Sequence, residues 1–250
     1  MRILPVIDLL DGHVVRAVAG ERARYRPVRS RLAVDADPVA VCAALLELAP
    51  FAAVYVADLD AITRDGSRRN VDALLRLGAV VRRRGVRELW LDAGRAAWTG
   101  ELAAHLAALG VELVPVIGSE SLAEDERPRD LAAAHTDFAL SLDHRAGAFI
   151  GPPALARAAH LWPRRVLAME LAGVGMRRGP PLELLATLRE RAKAAGRADV
   201  ELHAGGGVRD AADLRRLETA GVAGALVATA LHDGSLDAVA LRPHFGRVAA

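Results

Sequence analysis

The chain has 250 residues, is 52% hydrophobic and 26% charged, and carries a formal net charge of +2. That is enough to bury one large α/β core or two small ones, and no apolar run reaches membrane-spanning length. Basic and acidic residues are mixed along the whole chain, so no charge block marks a nucleic-acid partner, and one cysteine, Cys42, excludes an intrachain disulfide and a cysteine-based zinc site.

Short apolar runs recur in chain order: "ILPVI" (3–7), "AAVYV" (52–56), "ELWL" (88–91), "ELVPVI" (112–117), "DFALSL" (137–142), "RVLAME" (165–170), "VELH" (200–203) and "GALVA" (224–228). Amphipathic stretches such as "NVDALLRLGAVVRRRG" and "AADLRRLETAG" lie between them. Few positions within the runs alternate to polar, which is the signature of parallel strands buried on both faces. Eight even units predict a single (β/α)₈ TIM barrel over 1–250. A doubly wound open sheet is the alternative, disfavoured by the even spacing and the absence of a long linker. The N-terminus "MRILPVIDLLDG" turns acidic too soon for a signal peptide, so the expected location is the cytoplasm.

Barrel chemistry sits at the C-terminal ends of the strands. The residues there are Asp8, Asp58, Asp92, Gly118 and Ser119, Asp143, Glu170, the glycines 205–207, and Ala228 with Thr229. Five of eight ends are acidic, and any one of those acids alone could equally be a helix cap. The lone lysine, Lys193, lies in the helical pattern "RERAKAAG", which leaves no strand-end lysine for a Schiff base.

The chain also repeats itself. "IDLLDGHVV" (7–15) aligns with "LDHRAGAFI" (142–150), placing Asp8 on Asp143 and Gly12 on Gly147. A shorter offset, of about 110 to 113 residues, puts Asp58 on Glu170, Gly94 on Gly207, and Gly118–Ser119 on Ala228–Thr229. This order predicts two related half-barrels, about 1–135 and 136–250.

"AGGGVRD" follows the seventh run and "ATALHDG" the eighth. Glycine after a strand lets the backbone approach a ligand, and barrels commonly hold phosphate between these two loops. Gly206, Gly207, Ala228 and Thr229 are therefore the expected phosphate cradle; the competing reading is a tight turn that needs glycine for packing alone. The spacing is not that of a dinucleotide fingerprint.

Four motifs, "PVIDLLDGHVVRAVAG", "VADLDAITRDGSRRN", "SLDHRAGAFIG" and "AGGGVRDAADL", resemble the histidine-biosynthesis barrels, the ribotide isomerase and its cyclase relative. The resemblance spans most of the chain. It implies an Amadori-type rearrangement of an aminoaldose phosphate to an aminoketose phosphate by two aspartates, at positions that match Asp8 and Asp143. It assigns Asp143 as acid and Asp8 as base, places Arg16 near the substrate, and calls for no metal or cofactor. The cyclase carries lysine near the end of strand one and this chain does not, which favours the isomerase.

The resemblance breaks after the third run. The family's first-half phosphate loop reads "LDAGRAAW" here: Gly94 remains, Asp92 and Ala93 replace its neighbours, and Arg95 partly offsets the acid. The chain is thus equipped for one phosphate where the family substrate carries two. The segments "GERARYRPVRS" and "VGMRRGPPLELL" look similar to a branch of the superfamily from methanogens and methylotrophs, which implies a role in one-carbon cofactor synthesis. The arginines of the first segment, around Tyr25, suit a lid over an anionic substrate or a solvated loop. Two readings of function follow: an aldose–ketose isomerase of a small phosphorylated metabolite, or a barrel that binds such a metabolite without turnover. Oligomeric state has no signature in the sequence.

Overall fold

The computed structural model describes residues 1–63, 70–94, 100–126, 129–131 and 137–245. Eleven strands form one sheet: β1 (Arg2–Leu10), β2 (His13–Arg16), β3 (Arg26–Pro27), β4 (Ala53–Asp58), β5 (Glu88–Asp92), β6 (Glu112–Gly118), β7 (Ala139–Arg145), β8 (Ala148–Phe149), β9 (Arg165–Glu170), β10 (Glu201–Gly205) and β11 (Gly224–Val227). Eight of them pair in parallel in the order β1-β4-β5-β6-β7-β9-β10-β11, and β11 pairs back with β1 through Arg2↔Gly224 to Pro5↔Val227. The sheet is closed, so the fold is a (β/α)₈ TIM barrel and not an open doubly wound sheet.

All eight apolar runs are barrel strands. Their side chains divide between two cores because a strand alternates faces. Ile3, Ile7, Leu9, Val54, Val56, Leu89 and Leu91 point outward onto helices such as Pro38–Glu47 and Val71–Arg83. Leu4, Tyr55, Trp90, Val114, Leu167 and Leu226 fill the barrel interior. Below them Arg165 stacks over Trp90 at 5.7 Å, and Arg2 pairs with Glu88 at 2.8 Å, closing the floor. The interior is therefore packed, and a cavity lies above it.

Three short strands escape the hydrophobic pattern. β2 and β8 are the return arms of hairpins that continue β1 and β7, so Asp8 and Asp143 lie inside strands and not just beyond them. Both hairpins turn on a pair of positive-φ residues, Asp11 (φ 48°) with Gly12 (77°) and Ala146 (52°) with Gly147 (81°). This is the geometry of two-residue type I′ turns, which matches the twist of the flanking strands. Each turn is fastened by a carboxylate: Asp60 accepts from the Asp11 N–H at 2.6 Å, and Glu170 accepts from the Ala146 and Gly147 N–H groups at 2.9 and 3.1 Å. No described helix is long and apolar enough to cross a membrane.

Candidate active site

A cavity opens at the C-terminal ends of the strands. Asp8 reaches it from β1, Asp92 from β5 and Asp143 from β7. β1 and β7 are the first and fifth barrel strands, so Asp8 and Asp143 stand on opposite walls.

The two aspartates differ in what surrounds them. Asp143 Oδ1 accepts from Ser141 Oγ at 2.6 Å, and Oδ2 accepts from the Glu120 N–H at 3.0 Å. Ser119 Oγ accepts from the Asp143 N–H at 2.8 Å and donates to the Ile150 carbonyl at 2.6 Å, which locks the strand position. Asp8 has no side-chain hydrogen bond among the described residues. Burial pushes Asp143 up to about 7, with its donors opposing the rise. Burial also pushes Asp8 up to about 7, helped by the charge of Asp92. A low-dielectric wall disfavours the charged form, so both groups titrate near neutrality, where a carboxyl can serve as acid or base.

Asp92 is the third carboxylate. It accepts from Tyr55 Oη at 3.3 Å and from the Gly94 N–H at 3.2 Å, and burial raises it to about 6. Gly118 makes room for two of the acids: a Cβ at this position would lie 3.2 Å from Asp143 Oδ2 and 3.5 Å from Asp92 Oδ2.

The opposite end is built from Gly206, Gly207, Ala228 and Thr229, all of which line the cavity. Among the described residues none of their four backbone N–H groups meets a protein acceptor. The glycines also serve packing. Gly207 (φ 85°) carries its Cα against the segment that follows β9, where a Cβ would fall 2.0 Å from the Gly179 carbonyl; the Gly179 N–H donates to the Gly207 carbonyl at 3.0 Å.

Loops complete the walls. The loop between β2 and β3 contributes Tyr25 and Arg22, and Arg22 reaches across to Glu120 at 2.8 Å. The segment after β9 contributes Val174, Gly175 and Arg177; the Ala19 N–H donates to the Val174 carbonyl at 2.8 Å, and Arg177 pairs with Asp233. Arg16 lines an adjoining recess that shares Asp8 and Thr229, and it donates to the Gly175 carbonyl at 3.2 Å.

Of the residues expected from sequence, Asp8, Asp143, Gly206, Gly207, Ala228 and Thr229 meet in one cavity, with Arg16 beside it. Gly118 and Ser119 stand behind Asp143 as its support. Glu170 and Gly94 are not among the lining residues; Glu170 clamps the β7–β8 turn and Gly94 bonds Asp92. Arg95 lies outside the described residues. Sequence reasoning did not single out Tyr55, Glu120 or Arg177 for the site. Tyr55 sits mid-strand and reads as core, and Glu120 and Arg177 arrive through loop conformations that no local pattern encodes.

A family model described as "Histidine biosynthesis protein" matches residues 2–237. A phosphoribosyl imidazole-carboxamide isomerase from Rubrobacter xylanophilus is 34% identical over 93% of this chain and 91% of its own. Its namesake from Halobacterium salinarum is 29% identical over 93% and 92%. An uncharacterised protein from Methanocaldococcus jannaschii is 25% identical over 98% and 100%. Among solved structures, a mutant tryptophan synthase alpha-subunit from Pyrococcus furiosus superposes with a TM-score of 0.54 at 14% identity, covering 93% of this chain and 89% of that one, which speaks for the barrel alone. With the family model spanning almost the whole length and the isomerases aligning end to end, this chain belongs to the histidine biosynthesis protein family, on its isomerase side.

Proposed function

We propose that this cytoplasmic barrel catalyses an Amadori-type aldose–ketose isomerisation of a small phosphorylated substrate, using Asp8 and Asp143. The observation that carries the reading is the pair itself: two carboxyls on opposite walls of one cavity, both pushed to about 7. The unspent N–H groups of Gly206, Gly207, Ala228 and Thr229, with the Thr229 hydroxyl, suit the phosphate at the far end. Arg177 lines that side as well, paired with Asp233.

The reaction opens a sugar ring, removes a proton from C2 and returns one to C1 as the C2 oxygen becomes a carbonyl. Asp143 receives the fixed Glu120 N–H and the Ser141 hydroxyl, which favour its ionised form. Asp8 lacks such donors, and the charge of Asp92 raises both groups, so the hydrogen bonds are what set the two apart. These surroundings support Asp8 as the acid at the ring oxygen and Asp143 as the base at C2, the reverse of the roles implied by the family resemblance.

A metabolite screen tests the reading. Wild-type protein and the Asp8→Asn and Asp143→Asn variants are incubated with cell extract, and conversion is followed by mass spectrometry. A phosphorylated metabolite converted by the wild type but only bound by the variants supports it. Full conversion by both variants removes the aspartates from the mechanism. Binding without conversion by the wild type leaves the non-catalytic barrel as the better account.

A further inference from the structure

We propose that Asp92 is a specificity-determining residue: it makes the β5–β6 end of the cavity a receptor for an amine or other hydrogen-bond donor, so the substrate is a phosphorylated amine with one phosphate and not a bisphosphate. This rests on the isomerase reading and deepens it.

The two ends of the cavity differ in charge. The end beneath β10 and β11 offers backbone N–H groups and the Thr229 hydroxyl, beside Arg177, which is paired with Asp233. The end beneath β5 and β6 offers Asp92, Glu120 and Asp143. Among the described lining residues the basic side chain nearest those acids is Arg22, and it is already paired with Glu120 at 2.8 Å. A phosphate placed there would meet Asp92 and Glu120 with that cation spent, in a setting where burial makes like charges repel strongly. An ammonium would meet carboxylate oxygens with acceptor capacity to spare: each Asp92 oxygen takes a single long bond, from Tyr55 at 3.3 Å and from the Gly94 N–H at 3.2 Å, and Asp8 takes none among the described residues.

Asp92 is also held in place for this task. The Gly94 N–H fixes Oδ1, and Gly118 leaves the space beside Oδ2 open. Among the described residues no three His, Cys, Asp or Glu side chains are arranged to hold a metal ion, which points to an organic cation. The inference therefore names a ligand of complementary polarity, with phosphate under β10–β11 and nitrogen under β5–β6.

Isothermal calorimetry with three probes tests it: 1-amino-1-deoxyribulose 5-phosphate, ribulose 5-phosphate and ribulose 1,5-bisphosphate. The wild type should bind the amine about tenfold or more tighter than ribulose 5-phosphate, and the bisphosphate most weakly. At neutral pH the amine should release protons from the acid cluster, seen as a dependence of heat on the buffer's ionisation enthalpy. The Asp92→Asn variant should lose the preference for the amine, and Asp92→Glu should retain much of it. The wild-type ranking stands as a test even if a variant fails to fold. Tightest binding of the bisphosphate by the wild type would overturn the inference while leaving the phosphate end intact. Failure of all three probes would overturn the phosphate end, and this inference with it.

Discussion

Gly118 and Asp143 share one space: the hydrogen of Gly118 leaves the gap into which Asp143 Oδ2 projects, and a methyl group there would stand 3.2 Å from that oxygen. Gly118 has φ −80° and ψ 130°, a backbone any residue adopts, so the glycine is needed for the neighbour and not for the turn. The Gly118→Ala variant should fold with near-native melting temperature and lose activity at least tenfold, because the carboxylate is displaced from its Glu120 and Ser141 donors. Unchanged turnover would show that Asp143 tolerates the shift.

If Asp8 and Asp143 carry the proposed reaction, kcat/KM should show a bell-shaped pH dependence centred near 7, since both are raised to about that value. Asn at either position should cost ~10² to 10⁴-fold in turnover. Loss of deuterium from C1 of an aminoketose phosphate needs the base but no ring opening. Asp8→Asn should retain that exchange, and Asp143→Asn should abolish it. The opposite pattern would restore the roles that the family resemblance implies.

Asp92 should weaken the fold at alkaline pH. Its folded value, about 6, lies above that of an exposed aspartate, so the folded state binds the extra proton and loses stability as pH rises from about 4 through 6. Asp92→Asn should therefore raise the melting temperature at pH 8, by an amount corresponding to roughly 1–3 kcal/mol, and leave it unchanged near pH 3.5. A variant no more stable at pH 8 would show that Asp92 is better solvated than its burial indicates.

Inorganic phosphate soaked into crystals should occupy the cradle of Gly206, Gly207, Ala228 and Thr229. Thr229→Val removes one donor to a charged ligand, worth ~1.5 kcal/mol, and should weaken phosphate binding about tenfold. Gly207→Ala should do more harm, since its Cβ would strike the Gly179 carbonyl at a positive φ. Density for the ion at another place in the barrel mouth would remove the cradle from the account.

Growth of an isomerase-deletion strain on minimal medium gives a separate check. The acidic end at Asp92 and Glu120 should prevent efficient use of a bisphosphate, so this gene at native expression should not restore growth. Full rescue would overturn the reading of the Asp92 end as closed to a second phosphate.

The eight apolar runs and the acids at their ends made the barrel and the Asp8–Asp143 pair legible, because a buried parallel strand must be apolar and its end must be polar. The hairpin arms β2 and β8 were not legible: four and two residues long, they are held by the turns Asp11–Gly12 and Ala146–Gly147 and not by a hydrophobic pattern. Glu170 shows the limit at the site. Its place at a strand end marked it for a ligand, yet its carboxylate is taken by the turn amides of Ala146 and Gly147, a partnership 23 to 24 residues away that sequence spacing does not show. Glu120 and Arg22, 98 residues apart, meet only once the barrel has closed.

Two rims of the cavity are stitched to each other. The segment after β9 is sewn down on both flanks, by Ala19 to Val174 on one side and by Gly179 to Gly207 on the other, through backbone bonds of 2.8 and 3.0 Å. The loop bearing Arg22 is the partner in the first of these bonds, through Ala19, and adds an ion pair from Arg22 to Glu120 whose side chains are 39% and 24% exposed, a contact that by itself is worth little in water. The β2–β3 loop and the segment after β9 thus form one joined rim, and a change in either is passed to the other through the Ala19–Val174 bond.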